Sequence, residues 1–231
     1  MGKPAPWTDH DGAIWHTFDI AAAVLGGSVR ERPELSSPFP PQAGAAEKML
    51  VSGTFQLLAY GAPGDGTYRH QGGFILAGGV AGLALTAASV VGRQAGNARR
   101  RNAAVAAATP RWMPVDSGNL WVSTHGFYMH TAQGLFAWTW PQINTAQMVG
   151  PGDVHIQGDS TTGPISWIIR GNWSELLFVL WALAHHSQHP QLISGGWLPP
   201  GWLDHCAAHG NRPDQQIRVL TQGRTRPNAS L

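Results

Sequence analysis

The chain has 231 residues, of which 43% are hydrophobic and only 12% are charged. This composition is sufficient for a hydrophobic core in one domain of medium size, and it excludes wholesale disorder, a collagen-like repeat and a coiled coil. The lone cysteine, Cys206, excludes an internal disulfide framework and any CxxC pair. The formal net charge of +2 is too small to indicate a class of partner by itself.

The basic residues are unevenly distributed. Residues 66–111 contain six arginines and no acid, and residues 210–231 contain four arginines and one aspartate. Such regions can contact phosphate groups of lipids or nucleic acids. The alternative is a solvated basic surface, because runs of charge commonly serve solubility alone.

The N-terminal region does not resemble a secretory signal, since acids precede the apolar run 20–27 where a signal carries basic residues. We therefore expect a cytoplasmic protein. Residues 1–44 are predicted to form a mostly irregular arm, because the proline-rich stretch 36–41 cannot continue a helix or a central strand. Within this arm, 13–25 is expected to form one short element that docks on the core.

Residues 72–92 form a run of 21 positions without a charge. This length is enough for a helix to cross a bilayer, and the arginines that follow match a cytoplasmic flank. Gly78 and Gly82 provide a GxxxG spacing that lets helices approach closely. The alternative is a buried soluble helix, since six glycines and five alanines make the run only marginally apolar.

The folded part is predicted to begin at 46–60, with a strand at 54–60 and a dense turn signal at 61–66. A second short strand is expected at 67–70. The region 73–108 is predicted to be helical, with an Ala-rich basic second half that ends at Pro110.

From 111 onward the hydrophobic pattern changes to a period of two, which is typical of strands. The predicted strands are 119–124, 127–131, 135–140, 141–149, 153–157 and 165–170.

A helix is predicted at 173–186, where leucines and Trp181 recur at helical spacing. Asn172 is the expected N-cap, with Glu175 completing a capping box. Beyond Pro190 we expect a Trp/Pro loop, one helical turn at 204–210 and a disordered basic tail.

Several short motifs resemble bacterial pleckstrin-homology-like (PH-like) and GRAM-like domains. Residues 118–125 (GNLWVSTH) are similar to the G-x-L-x-V-T strand of PH-like domains, and 136–143 (FAWTWPQI) to the strand that follows it. The helix 173–184 occupies the position of their capping helix. Gly126 stands where the family commonly has an arginine, so the role of that arginine is not carried over.

The segments before these strands resemble actinobacterial proteins in which a Gly/Ala-rich helical insertion precedes PH-like strands. The residues that carry this likeness are at 64–68, 96–103 and 110–112. The resemblance implies an α+β fold, an antiparallel PH-like half-barrel or sandwich capped by a C-terminal helix. The chain is accordingly divided into five parts. They are an irregular proline-rich arm at 1–44, the first strands of the PH-like domain at 46–70, a helical insertion at 72–109, the main PH-like strands and capping helix at 111–189, and a Trp/Pro loop with a basic tail at 190–231.

The sequence predicts no catalytic residue and no cofactor. It has no GxSxG motif, no P-loop and no Rossmann glycine pattern after a strand. Two histidine pairs at i,i+4 spacing, together with the thiol that directly follows the first histidine of the second pair, could hold zinc. The alternative is a set of solvated or helix-capping histidines, and the residues concerned are His185, His189, His205, Cys206 and His209.

Two sets of binding residues are predicted. Arg93, Arg99, Arg100 and Arg101 are the headgroup or phosphate candidates, with a solvated helix face as the alternative. Trp138, Trp140 and Trp167 are candidate interface aromatics that can equally pack in the core against the C-terminal helix.

These features lead to three functional hypotheses. The first is a non-enzymatic scaffold at the cytoplasmic membrane surface that binds acidic lipid headgroups or a membrane protein, without nucleic acid. The second is a soluble protein–protein module or homo-oligomer. The third is a metal-binding protein that uses the C-terminal histidines and Cys206.

Overall fold

The computed structural model describes residues 5–62, 109–161 and 163–213. These residues form an α+β fold with a seven-stranded antiparallel sheet and helices. The elements are α1 (Asp9–Leu25), β1 (Met49–Gly61), β2 (Arg111–Ser123), β3 (Gly126–Thr131), β4 (Gly134–Thr139), β5 (Ile143–Gly150), β6 (Asp153–Ser160), β7 (Gly163–Arg170), α2 (Ser174–His185), α3 (Pro190–Ser194) and α4 (Trp202–Ala208).

The sheet has the strand order β4-β3-β2-β1-β7-β6-β5. The chain runs outward from β1 to the edge strand β4, crosses through a short 3-10 turn at Trp140–Gln142, and returns from the edge strand β5 to β7. Because β7 pairs with β1, one long strand joins the two halves of the sheet.

The pairing of β1 with β2 extends from Met49 opposite Ser123 to Gly61 opposite Arg111. The prediction placed the start of this second strand at 119, eight residues too late. Strand β3 covers only 118–122 of β2. Among the described strands, none pairs with the first half of β2 on that side, and a proline can be accommodated where no ladder hydrogen bond is needed. Pro114 lies there, next to a bulge in the pairing.

The helix α2 supplies much of the core. Its residues from Ser174 to Ala182 are buried, and it contacts β5, β6 and α1. The Trp181 indole donates a hydrogen bond to the carbonyl oxygen of Ile143, 2.9 Å away. The predicted N-cap is wrong, because the helix begins at Ser174 and its cap position, Trp173, makes no side-chain capping bond.

The helix α1 corrects the prediction of a mostly irregular arm at 1–44. It has 17 residues and begins with a capping box in which Thr8 and Asp11 bond each other's backbone N–H groups. Ile14, Phe18 and Ala21 lie on its buried face, which has the spacing of an amphipathic helix. The short element predicted at 13–25 is the C-terminal part of this helix.

Some predictions fall outside the described residues. These are the short strand at 67–70, the helical insertion apart from its last residue, and the tail beyond 213. Among the helices that the structure describes, none is both long and apolar enough to cross a membrane.

Candidate binding cleft

A cleft of about 410 Å³ lies where the first turn of α1 meets the loop that enters α4. Its apolar walls include Pro6, Pro151, Pro199 and Pro200, and its polar groups come from the starts of the two helices. A volume in this range suits a ligand site. Two acid–imidazole pairs converge there.

The first pair joins α1 to α2. The Nε2 atom of His10 is 3.0 Å from each carboxylate oxygen of Glu175. Glu175 is fully buried, and its Oε1 atom also accepts a hydrogen bond of 2.8 Å from the backbone N–H of Gly152. The hydrogen bond that His10 donates to the Glu175 carboxylate raises the pKa of His10 above its ordinary value, although burial opposes this effect. The pair therefore favours a protonated imidazole that holds α1 in place.

The second pair joins α1 to α4. The Nε2 atom of His205 is 3.4 Å from Oδ2 of Asp11, which also accepts hydrogen bonds from the backbone and side chain of Thr8. Burial raises the pKa of Asp11, but the Thr8 hydrogen bonds, the His205 charge and the nearby Trp202 indole outweigh it and lower the pKa overall. Asp11 is therefore ionised at neutral pH.

Aromatic rings form the wall behind these charges. Trp7 stacks on His205, with ring centroids 5.7 Å apart, and is tilted against Trp202 at 6.3 Å. Trp202 also stacks on Phe18 of α1 at 5.8 Å. The Trp202 side chain is 3% exposed, and its indole N–H has hydrogen-bond geometry to no acceptor. Buried donors are usually paired, and the group that this indole affects is the neighbouring Asp11 carboxylate, whose pKa it helps to lower.

The predicted metal ligands are spread over several places. His185 ends α2 while His189 caps α3, so these two residues do not share one helix. His205 and His209 do lie together, with ring centroids 4.6 Å apart. Cys206 is fully buried, and burial raises its pKa to about 11, which keeps the thiol protonated. Within 5–62, 109–161 and 163–213, no three His, Cys, Asp or Glu side chains are grouped to hold a metal.

The candidate interface aromatics lie in the core. Trp138, Trp140 and Trp167 are each less than a tenth exposed. Trp138 and Trp167 make an edge contact at 5.2 Å, and the Trp140 indole donates to the carbonyl oxygen of Thr124. Their packing matches the core alternative, and they offer no exposed aromatic platform. The headgroup candidates Arg93, Arg99, Arg100 and Arg101 lie outside the described residues.

A second cavity, of about 380 Å³, lies between the end of α1 and the start of β1. Next to it, the buried Glu47 carboxylate accepts hydrogen bonds from the Ser123 and Tyr128 hydroxyls and from the backbone N–H of Ala43. Burial, together with Glu47, raises the pKa of Tyr128 to about 12. This network ties the segment before β1 to the sheet, and its donors are used within the protein.

The cleft was not predicted, because its lining residues come from three distant parts of the sequence, at 5–11, 151 and 199–205. One signal could have located its α1 wall. Thr8 and Asp11 have the spacing of a capping box, which predicts a helix start where the prolines suggested an irregular arm.

The His10–Glu175 pair predicts a pH-dependent stability. Because the folded pKa of His10 is raised, its contribution is fully present below the unfolded pKa and is lost as the pH rises through the folded pKa. We expect His10→Gln to lower the free energy of unfolding by about 1 to 2 kcal/mol at pH 5.5 and by clearly less at pH 8.5. Urea unfolding of both chains at the two pH values measures this difference. An equal loss at both values would contradict it.

No protein-family model, curated protein or solved structure matches this chain.

Proposed function

We propose that the chain is a non-enzymatic binding or scaffold module that acts at the surface of the cytoplasmic membrane. The proposal is based on the residue types in the segment between β1 and β2, and on the end of the sheet at which this segment leaves β1 and enters β2. It includes a PH-like identity for the strands and α2.

The main observation behind the proposal is the position of Gly61 and Arg111. These residues lie opposite each other at one end of the β1–β2 pair. The segment that links these strands leaves and returns at this end. That segment contains the uncharged run 72–92, followed by Arg93 and then Arg99, Arg100 and Arg101. Apolar residues flanked by arginine favour contact with an anionic bilayer.

The side chains at this end are suited to the same environment. Tyr60 is 58% exposed and makes an edge contact of 5.6 Å with Trp112. Arg111 is exposed beside them. Tyrosine, tryptophan and arginine are common at membrane–water interfaces, because each combines an apolar part with a polar tip.

The PH-like part of the proposal is supported by the order of the elements. Two meanders, β1–β4 and β5–β7, are joined by the β1–β7 pair, and a buried helix follows the last strand. This order agrees with the strand and capping-helix motifs at 118–125 and 173–184. Closure of the sheet into a half-barrel belongs to the proposal as well.

Cell fractionation tests the proposal, with an alkaline wash of the membrane pellet to separate inserted from peripheral protein. We expect the intact chain to sediment with membranes and with vesicles that contain phosphatidylserine. Changing Arg99, Arg100 and Arg101 together to serine should weaken vesicle binding by about 100-fold, since each basic residue near an anionic surface contributes about 1 kcal/mol.

The matched control changes Arg218, Arg224 and Arg226 to serine, which removes the same charge from the tail. An equal loss in both triple variants would indicate non-specific charge attraction. An intact chain that stays in the supernatant with these vesicles would rule out the membrane function.

A soluble protein–protein module is the second candidate, and the cleft between α1 and α4 favours it. It predicts a monodisperse species in gel filtration without detergent and no recovery in the membrane pellet.

A further inference from the structure

We propose that the short helix α3 covers the edge strand β5, and that β5 pairs with β5 of a second copy of this chain when α3 is displaced. The partner is another molecule of the same sequence, bound by strand addition. This self-association goes beyond the proposed membrane function and does not depend on it. Three features of the edge support it: its outward-facing backbone groups, the side chain that occupies them and the absence of charge along β5.

The β5 edge has backbone groups that point away from the sheet. β5 is the last strand in the sheet order, and its register with β6 is regular from Thr145 to Met148. The N–H and C=O groups of Met148 face away from β6, since both bond to Gln191. These directions alternate along a strand, so the same groups of Ala146 face outward as well. Such an edge is a template for a further strand.

The Gln191 side chain of α3 occupies the place of a neighbouring strand. Its Oε1 atom accepts a hydrogen bond of 2.9 Å from the Met148 N–H, and its Nε2 atom donates one of 2.8 Å to the Met148 carbonyl oxygen. A residue of an antiparallel neighbour would exchange the same two hydrogen bonds with Met148. The primary amide can do this because it has a peptide-like donor and acceptor. Gln191 therefore fills the position that an added strand would need.

α3 is small enough to be displaced without unfolding the sheet. It has five residues, none of them buried, and Leu192 is its partly buried contact with the core. At its start the Nδ1 atom of His189 accepts a hydrogen bond of 3.2 Å from the backbone N–H of Gln191. A helix of this length has few hydrogen bonds of its own. Its position therefore depends on the His189 N-cap, on Leu192 and on the Gln191 side chain.

The geometry of β5 suits a second copy of itself. A two-fold axis through Gln147 would place Ala146 of each copy opposite Met148 of the other, which pairs the outward-facing groups of both residues. β5 contains no charged residue and no proline, and edge strands that resist pairing commonly carry one or the other. Two copies of β5 therefore meet without charge repulsion, and each supplies the groups that the other lacks.

Crosslinking of the full chain with a short bismaleimide tests this pairing. The reporter chain carries Gln147→Cys, because the two copies of this position would face each other with Cβ atoms about 4.5 to 5.5 Å apart. A comparison chain carries Gln133→Cys, in the turn between β3 and β4. The native Cys206 is fully buried, so its thiol is protected from the reagent. A non-ionic detergent, with micelles in excess over chains, prevents membrane attachment from bringing copies together.

Substitutions in α3 are expected to change the crosslinking rate of the Gln147→Cys chain. Gln191→Ala should raise the rate at least about tenfold, since each copy loses both hydrogen bonds to β5. His189→Ala, which removes the N-cap acceptor, should raise it about fivefold, whereas His189→Asn keeps an acceptor and should leave it unchanged. The matched control is Gln188→Ala, which removes an exposed amide three residues before Gln191 and should have no effect. Thermal melts establish that each variant is folded.

Three results would overturn the proposal. The first is an equal crosslinking rate with and without Gln191→Ala in the Gln147→Cys chain, which would show that α3 does not cover the edge. The second is the absence of a crosslinked dimer in every folded Gln147→Cys chain. The third is equally fast crosslinking of Gln133→Cys and Gln147→Cys in chains that carry Gln191→Ala, which would indicate random collision. The vesicle experiment has no bearing on these results, since no lipid is present.

Discussion

Replacing Gly126 with alanine is expected to lower the free energy of unfolding by about 4 kcal/mol or more, which is a large fraction of the stability of a typical domain. A Cβ atom at this position would lie 1.8 Å from the carbonyl oxygen of Trp138 and 2.8 Å from the Cα of Thr139. Both are backbone atoms of the paired strand β4, so no side chain can turn aside. The β3–β4 hairpin would have to separate to admit the methyl group.

The matched control is Gly150→Ala in β5. Its Cβ would meet only the Asp153 side chain, at 3.8 Å, which is an ordinary contact distance. We expect a change of at most about 0.5 kcal/mol. Thermal unfolding of both variants checks the pair, with an expected loss of at least about 10 °C for Gly126→Ala. A Gly126→Ala chain that melts within a few degrees of the parent would show that the two strands are not in this register.

The second large effect is expected at Glu47, where alanine should lower the free energy of unfolding by about 3 to 5 kcal/mol. The carboxylate is 6% exposed and accepts hydrogen bonds from the Ser123 and Tyr128 hydroxyls and from the N–H of Ala43. Removing it leaves these donors without their acceptor and opens a cavity beneath the sheet. Urea denaturation measures the loss, with the same dependence of the free energy of unfolding on urea concentration (m-value) expected for both chains.

Glu34→Ala is the control for Glu47, because Glu34 is an exposed carboxylate that lines the same cavity near the end of α1. Its loss should change stability by less than about 0.5 kcal/mol. Glu47→Gln keeps one acceptor oxygen and should lie between the two. A Glu47→Ala chain as stable as Glu34→Ala would mean that the buried network contributes nothing.

Most of the sheet could be predicted, because its strands have one buried and one exposed face and so carry a period-two pattern. The predicted strands at 127–131, 153–157 and 165–170 correspond to β3, β6 and β7. The strand predicted at 135–140 corresponds to β4, and its alternation is visible in the structure, since Trp138 is buried while Leu135 is exposed. The helix predicted at 173–186 corresponds to α2, and its signal is the helical spacing of its leucines and Trp181.

Local sequence patterns gave wrong predictions where contacts with distant parts of the chain determine the structure. The first half of β2 contains Pro114, which normally argues against a strand, and it is accepted at a position where none of the described strands pairs on one side. Glu175 has the spacing of a capping residue, yet its carboxylate turns inward to His10 and Gly152. No pattern in the sequence near Glu175 shows that a histidine 165 residues earlier will reach it.

The cleft illustrates the same limit. The histidines and Cys206 near the C-terminus were considered as one metal set, because nearness in the sequence was the only guide to nearness in space. In the structure His189 contacts Trp181, whereas His205 contacts Trp7 and Asp11. The carboxylate that contacts His205 is that of Asp11 on α1. This part of the chain was predicted to be an irregular arm.

The dependence of α1 on α2 has a consequence during protein synthesis. The apolar face of α1 packs against α2, and His10 needs Glu175, which is made 165 residues later. At typical translation rates of about 5 to 20 residues per second, this face waits roughly 10 to 30 s for its partner. Strand β1 likewise waits for β7. Nascent chains therefore carry Ile14 and Phe18 uncovered on the ribosome, so we expect them to associate with general chaperones until α2 emerges.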